Sequence, residues 1–112
     1  MLDRVAWLTL LNDFYGQLLT DRQRRFIELH YENDLSLGEI ARDNGITRPA
    51  VHDTLKRAES ALENFELKLG LVRHYLSDRQ KMQDLAGLIE DLKTDCTSGK
   101  LEQIKGILQE LL

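Results

Sequence analysis

The sequence predicts an all-α fold, and three observations predict it. From Val51 the apolar residues fall at Leu55, Ala58, Leu62, Phe65, Leu69, Val72 and Leu76, alternating steps of four and three, which is the 3.5-residue period of a helix seam. Capping boxes, a Ser or Thr with Glu or Gln three residues on, stand at Thr20–Gln23 and Ser36–Glu39. Each opens a helix by satisfying two backbone donors reciprocally. The one proline, Pro49, follows a capping threonine, where a helix has no use for its missing N–H. With 42% hydrophobic and 30% charged residues, the chain can bury a modest core and is not of disordered composition.

The elements follow in order. Leu2 to about Gln17 carries Val5, Leu8, Leu11, Phe14, Tyr15 and Leu18 on one stripe, with Trp7 as an anchor and an end near Gly16. The helix opened by Thr20 holds Phe26, Ile27, Leu29, His30 and Tyr31 and fades in Glu32-Asn33-Asp34. Ser36 opens a short helix with Leu37, Ile40 and Ala41 on one face, stopped at Asn44-Gly45, where glycine supplies the left-handed turn. Thr47 caps a long rod to Leu76, roughly 43 Å at 1.5 Å per residue, with Gly70 as its weak point. Ser77-Asp78-Arg79-Gln80 then predicts a break and a fresh helix to about Lys93 bearing Met82, Leu85, Leu88, Ile89 and Leu92. Residues Thr94 to Gly99 are small and polar, a loop. Lys100 to Leu112 is a short amphipathic helix that must pack on something, since it is too brief to be stable alone. The expected organisation is a head over residues 1–60 and a stem with C-terminal helices over 61–112, the long helix shared.

Two capped helices joined by Gly45-Ile46, with Ile40, Ala41, Ile46 and Val51 between them, make a helix-turn-helix pattern. At 100° per residue the outward face of the second helix centres on Asp53, flanked by Pro49, Lys56 and Arg57, with Ala50 and His52 at its edges. Arg48, Ala50, His52 and Asp53 are the candidates near bases. Lys56, Arg57 and Arg42, with Arg24 and Arg25, are the candidates for phosphates. Residues 48–57 hold three cations against Asp53 alone, but residues 20–57 balance seven Lys and Arg against seven Asp and Glu. That balance, and a net charge of −4, argue against strong electrostatic binding of nucleic acid.

Leu19-Thr20-Asp21-Arg22-Gln23-Arg24, Leu35-Ser36-Leu37-Gly38-Glu39-Ile40-Ala41 and Gly45-Ile46-Thr47-Arg48 resemble the fourth region of bacterial sigma-70-type factors. With Phe14-Tyr15 and Leu55-Lys56-Arg57-Ala58-Glu59, the whole chain resembles the small bacterial YlxM family, most strongly over residues 14 to 70. The resemblance implies an all-helical regulator with a DNA-binding helix-turn-helix. Through gene neighbourhood it also implies a link to the signal recognition particle, whose protein or RNA would be an alternative partner.

Other chemistry finds little support. His30, His52 and His74 stand 22 residues apart each time, which is not metal-ligand spacing. Cys96 lies in a polar stretch without a nearby histidine and reads as an inert thiol in a reducing cytoplasm. No phosphate loop, carboxylate pair or triad is present, so the sequence predicts no enzyme, metal or cofactor, and no apolar run predicts membrane insertion.

The stem predicts a homodimer. Leu62, Phe65, Leu69, Val72 and Leu76 form the main seam. Leu67, Leu71 and Tyr75 form a second apolar face, so two partners are needed, the C-terminal helices and a second subunit. Glu59 and Arg73 stand symmetrically about Glu66, a pattern that favours antiparallel pairing.

Overall fold

Every helix of the head begins where a side-chain oxygen is available to its first amides. Asp3 accepts from the Ala6 amide at 2.7 Å and opens α1, Arg4–Tyr15. Thr20 and Gln23 form the complete reciprocal box, 3.1 Å each way, at the start of α2, Asp21–Ile27. Ser36 accepts from the Glu39 amide at 3.1 Å and opens α3, Leu37–Asn44. Here the box is only half built, because the Glu39 carboxylate takes the Ser36 hydroxyl at 3.2 Å. Thr47 accepts from the Ala50 amide at 3.2 Å and opens α4, Arg48–Leu69. Each such cap is worth about 1 kcal/mol. The helices α5, Leu71–Thr94, and α6, Ser98–Leu111, complete the order. A 3-10 turn, Gly16–Leu18, follows α1, and a π turn, Glu28–Glu32, prolongs α2. The computed structural model describes residues 2–94 and 98–112, and among them there is no strand.

Two compact units divide the chain, Met1–Val72 and Arg73–Leu112. The first holds the core: Leu8, Leu11 and Tyr15 of α1, Leu19, Phe26 and Ile27, Ile40 and Ala41 of α3, Val51, Leu55, Ala58 and Leu62 of α4, and Val72. Trp7 is half-buried, whereas Val5, Phe14 and Leu18, expected on the α1 stripe, are exposed. Gly16 lies against Asn12, whose buried Oδ1 would sit 2.7 Å from a Cβ there. In the second unit α6 folds back along α5, with Lys81 reaching Glu110 at 3.2 Å. Among its described residues no apolar side chain from Arg73 onward is fully buried.

Several expectations about the rod are overturned. It is not continuous to Leu76: α4 ends at Leu69 on a left-handed Gly70, φ 64°, a conformation that costs a side-chain-bearing residue about 1–2 kcal/mol. Nor does the chain break at Ser77, because α5 runs through it from Leu71 to Thr94. The seam holds through Leu62 and returns at Val72, but Leu69, the last residue of α4, is 55% exposed. Phe65 and Leu76 are half-buried. The supposed second face is split as well, with Leu67 on α4 and Leu71 and Tyr75 on α5. Of the loop expected from Thr94 to Gly99, Thr94, Ser98 and Gly99 are helical, and residues 95–97 are not described. Cys96 lies outside the described residues.

Glu59 and Glu66 do not face a partner copy as antiparallel pairing needs. Both are 6% exposed and bound within their own chain. Arg4 bridges Glu59 at 3.0 Å and Glu63 at 2.7 Å, so α1 is tied to the middle of α4. Tyr31 meets the same Glu59, and burial first, then that carboxylate, pushes its phenol up to about 12. The buried Tyr15 phenol is raised too, by desolvation and then by Glu66. The folded state favours the protonated phenol, so the contribution is whole below the unfolded tyrosine value of 10.0 and is lost as pH climbs towards 12. Urea midpoints should therefore fall over that window, and Tyr31→Phe should flatten part of the fall. An equally steep profile in Tyr31→Phe would exclude Tyr31 as a source.

Candidate nucleic-acid interface

The helix pair α3–α4 is set by its turn. Gly45 takes φ 66°, its amide donates to Arg42 O at 3.4 Å, and the Ile46 amide donates to Ala41 O at 3.0 Å. Two orphan carbonyls of α3 are thus satisfied as the chain reverses. Ile40, Ala41, Val51 and Leu55 are buried between the helices and the rest of the head, and Ile46 is half-buried. Small Ala41 lets the two backbones approach.

Arg48, Pro49, His52, Asp53, Lys56 and Arg57 are all exposed on α4, whereas Ala50 is half-buried. Arg42 is exposed on α3. Asp53 accepts an ion pair from Arg57 Nε at 3.3 Å, so the acidic centre of the face carries its own partner one turn on. Such an exposed i,i+4 pair contributes only about 0.3–0.5 kcal/mol, but it offsets a charge that would otherwise oppose phosphate. A cleft of about 370 Å³ lies beside the start of α4, lined by Leu37, Arg48, Pro49 and His52. Arg24 and Arg25 are engaged locally, Arg24 with Asp21 at 3.4 Å and Arg25 with Asn44 at 3.1 Å. Asn44 in turn donates to Ile40 O at 2.8 Å.

The histidines are separate. His30 Nδ1 is 2.7 Å from Leu35 O, His74 meets Asp78 at 3.2 Å, and His52 is exposed on α4. No three His, Cys, Asp or Glu side chains gather as a metal set among the described residues. No helix among them is long and apolar enough to cross a membrane.

Sequence reasoning missed the polar network at the α4–α5 joint. The Tyr15 hydroxyl donates to Glu66 Oε1 at 2.7 Å and accepts from the Leu71 amide at 3.0 Å. The Val72 amide donates to the same Glu66 oxygen at 3.0 Å. The available signal was the pair Glu59 and Glu66, one heptad apart beside a buried seam.

A family model described as "UPF0122: Putative helix-turn-helix protein, YlxM / p13 like" matches residues 2–105. A UPF0122 protein of Desulforamulus reducens is 50% identical over 105 residues, covering 94% of this chain and 90% of that protein. UPF0122 proteins of Listeria innocua and Halalkalibacterium halodurans are 37% and 36% identical, each covering 99% of this chain and 96% of the relative.

Proposed function

The chain belongs to the UPF0122 family of YlxM/p13-like helix-turn-helix proteins, and from that premise we propose that it is a non-catalytic cytoplasmic regulator whose α3–α4 head binds DNA. The observation that carries this reading is that Arg48, Lys56 and Arg57 are all exposed on α4, the second helix of a pair seated on the buried Val51 and Leu55. Lys56, Arg57 and Arg42 hold phosphates; Arg48, Ala50, His52 and Asp53 lie near bases. Because Asp53 engages Arg57 and residues 20–57 are charge-balanced, affinity is modest and dominated by phosphates. Replacing Arg48, Lys56 and Arg57 together by alanine should abolish retention on duplex DNA. The slope of log affinity against log salt should fall by about one per phosphate contact removed. Unchanged binding at about 0.1 M salt would sink the reading.

A second reading takes its support from the same charge balance. The head then docks on a protein or RNA of the signal recognition particle, as the resemblance to the YlxM family implies. A pull-down with and without DNase separates the two: capture lost with DNase favours DNA, and survival of a targeting protein or RNA favours the adaptor.

Dimerisation belongs to this proposal. On α5 the exposed Leu71, Tyr75, Met82 and Ile89 recur at steps of four, seven and seven, one face of the helix. Two such faces form an isologous seam. Light scattering at micromolar concentration should give twice 13.0 kDa, and Met82→Glu with Ile89→Glu should return the monomer. A monomer in the unaltered protein refutes the seam.

A further inference from the structure

The cleft at the start of α4, about 370 Å³, exists only because α3 and α4 pack together, since Leu37 comes from the first and Arg48, Pro49 and His52 from the second. Of the apolar face expected on α3, Ile40 and Ala41 are buried, but Leu37 is only half-buried and Pro49 opposite is exposed. Neither side chain can give or take a hydrogen bond, and Pro49 has no amide N–H either. The other two lining residues are Arg48 and His52, and no carboxylate lines the cleft. Asp53, the one acid within residues 48–57, is held by Arg57 at 3.3 Å. Among the described residues no carboxylate pairs with Arg48.

We propose that this cleft takes the methyl-bearing edge of a thymine in the major groove, with Leu37 and Pro49 against the C5-methyl group, so that the head prefers thymine-bearing sites. The inference rests on DNA binding by the head. The first turn of a recognition helix is the part that meets base edges, and three of the four lining residues belong to it. Along the major groove every base edge presents hydrogen-bond donors and acceptors, and the thymine methyl is the one sizeable apolar group. Set against Leu37 and Pro49, a polar edge loses its water and gains no partner. The methyl has no such partner to lose, and its burial removes apolar surface from water. Cytosine, with a bare C5, leaves the two side chains uncovered. Thymine O4 stands beside the methyl on the same edge, and His52 offers a ring N–H to it. Arg48 supplies positive charge for the phosphate backbone of the same duplex.

The test is fluorescence polarisation of the full chain with labelled alternating duplexes of about twenty base pairs, two helical turns. One pairs adenine with thymine and the other adenine with uracil on the same deoxyribose backbone, so the two differ only in the methyl group. The thymine duplex should bind about fourfold more tightly, the effect of one buried methyl. Alternating guanine and 5-methylcytosine, compared with guanine and cytosine, adds the methyl without adding thymine and should give a gain of the same sign. That arm separates contact with the methyl from the flexibility of the adenine duplexes. Leu37→Gln with Pro49→Gln makes the cleft polar without altering charge. It should bring the thymine and uracil duplexes to one affinity, with helicity by circular dichroism unchanged. Equal affinity of the unaltered chain for methylated and unmethylated duplexes overturns the inference and leaves DNA binding standing. A folded glutamine variant that keeps the preference overturns it too, because the methyl is then met elsewhere. Retention of no duplex at all removes DNA binding and the thymine cleft together.

Discussion

Glu66→Ala should lower the free energy of unfolding by about 3 kcal/mol, because the Tyr15 hydroxyl and the Val72 amide lose their acceptor where burial denies them water. For a chain of this size that is a fall in Tm of about 15 °C. Glu66→Gln keeps an acceptor oxygen and should cost about 1 kcal/mol, a typical single hydrogen bond. Tyr15→Phe removes both the donor to Glu66 and the acceptor for Leu71 and should cost about 2 kcal/mol. Since the two residues share one network, the double variant should be less destabilised than the sum of the singles by about 1 kcal/mol. Urea denaturation followed by circular dichroism measures all four. Strict additivity would mean that the hydrogen bond between them carries no stability.

Leu62→Ala should cost about 3–4 kcal/mol. Its side chain is wholly enclosed, and truncation there loses transfer energy and leaves a cavity. Leu67→Ala, five residues on and 78% exposed, should change stability by no more than about 0.5 kcal/mol. The pair makes the measurement self-controlled, since both leucines lie on α4 and differ chiefly in what surrounds them. Equal losses at the two positions would contradict the placement of the core on the Val51–Leu62 seam.

The same contrast shows which parts of the fold were legible in the sequence. Seam periodicity found Val51, Leu55, Ala58 and Leu62 because four consecutive contacts of one helix with one core keep one period. Gly45 was legible because its surroundings repeat the message locally: a polar Asn44 before it and a capping Thr47 two residues after. Gly70 lacked that context. No capping residue follows it, since the acceptors for the Leu71 and Val72 amides come from Tyr15 and Glu66, through space and not along the chain. Ser77, conversely, looks like a cap and is helix interior. The α4 face was legible as a set of exposed side chains, because outward positions follow from the buried ones. Its pairing of Asp53 with Arg57 also lay within reach, one turn apart, but projection onto a wheel treats each residue as solitary. The groove between α5 and α6, lined by Gly87 and Leu88 of one and Gly106 and Ile107 of the other, was not legible, since its two walls come together only once α6 has folded back along α5.

The remote caps on α5 make its start depend on a distant part of the head. An ordinary helix start is complete once a few adjacent residues have turned, a matter of local closure. The first turn of α5 instead waits for Tyr15, 56 positions upstream of Leu71, to be seated against α4. Closing a loop of that size costs entropy that grows as the logarithm of its length. The packing of α1 on α4 meets that cost for the whole head, and α5 inherits the closed loop. The first turn of α5 is therefore capped only in a head whose α1 is already seated on α4.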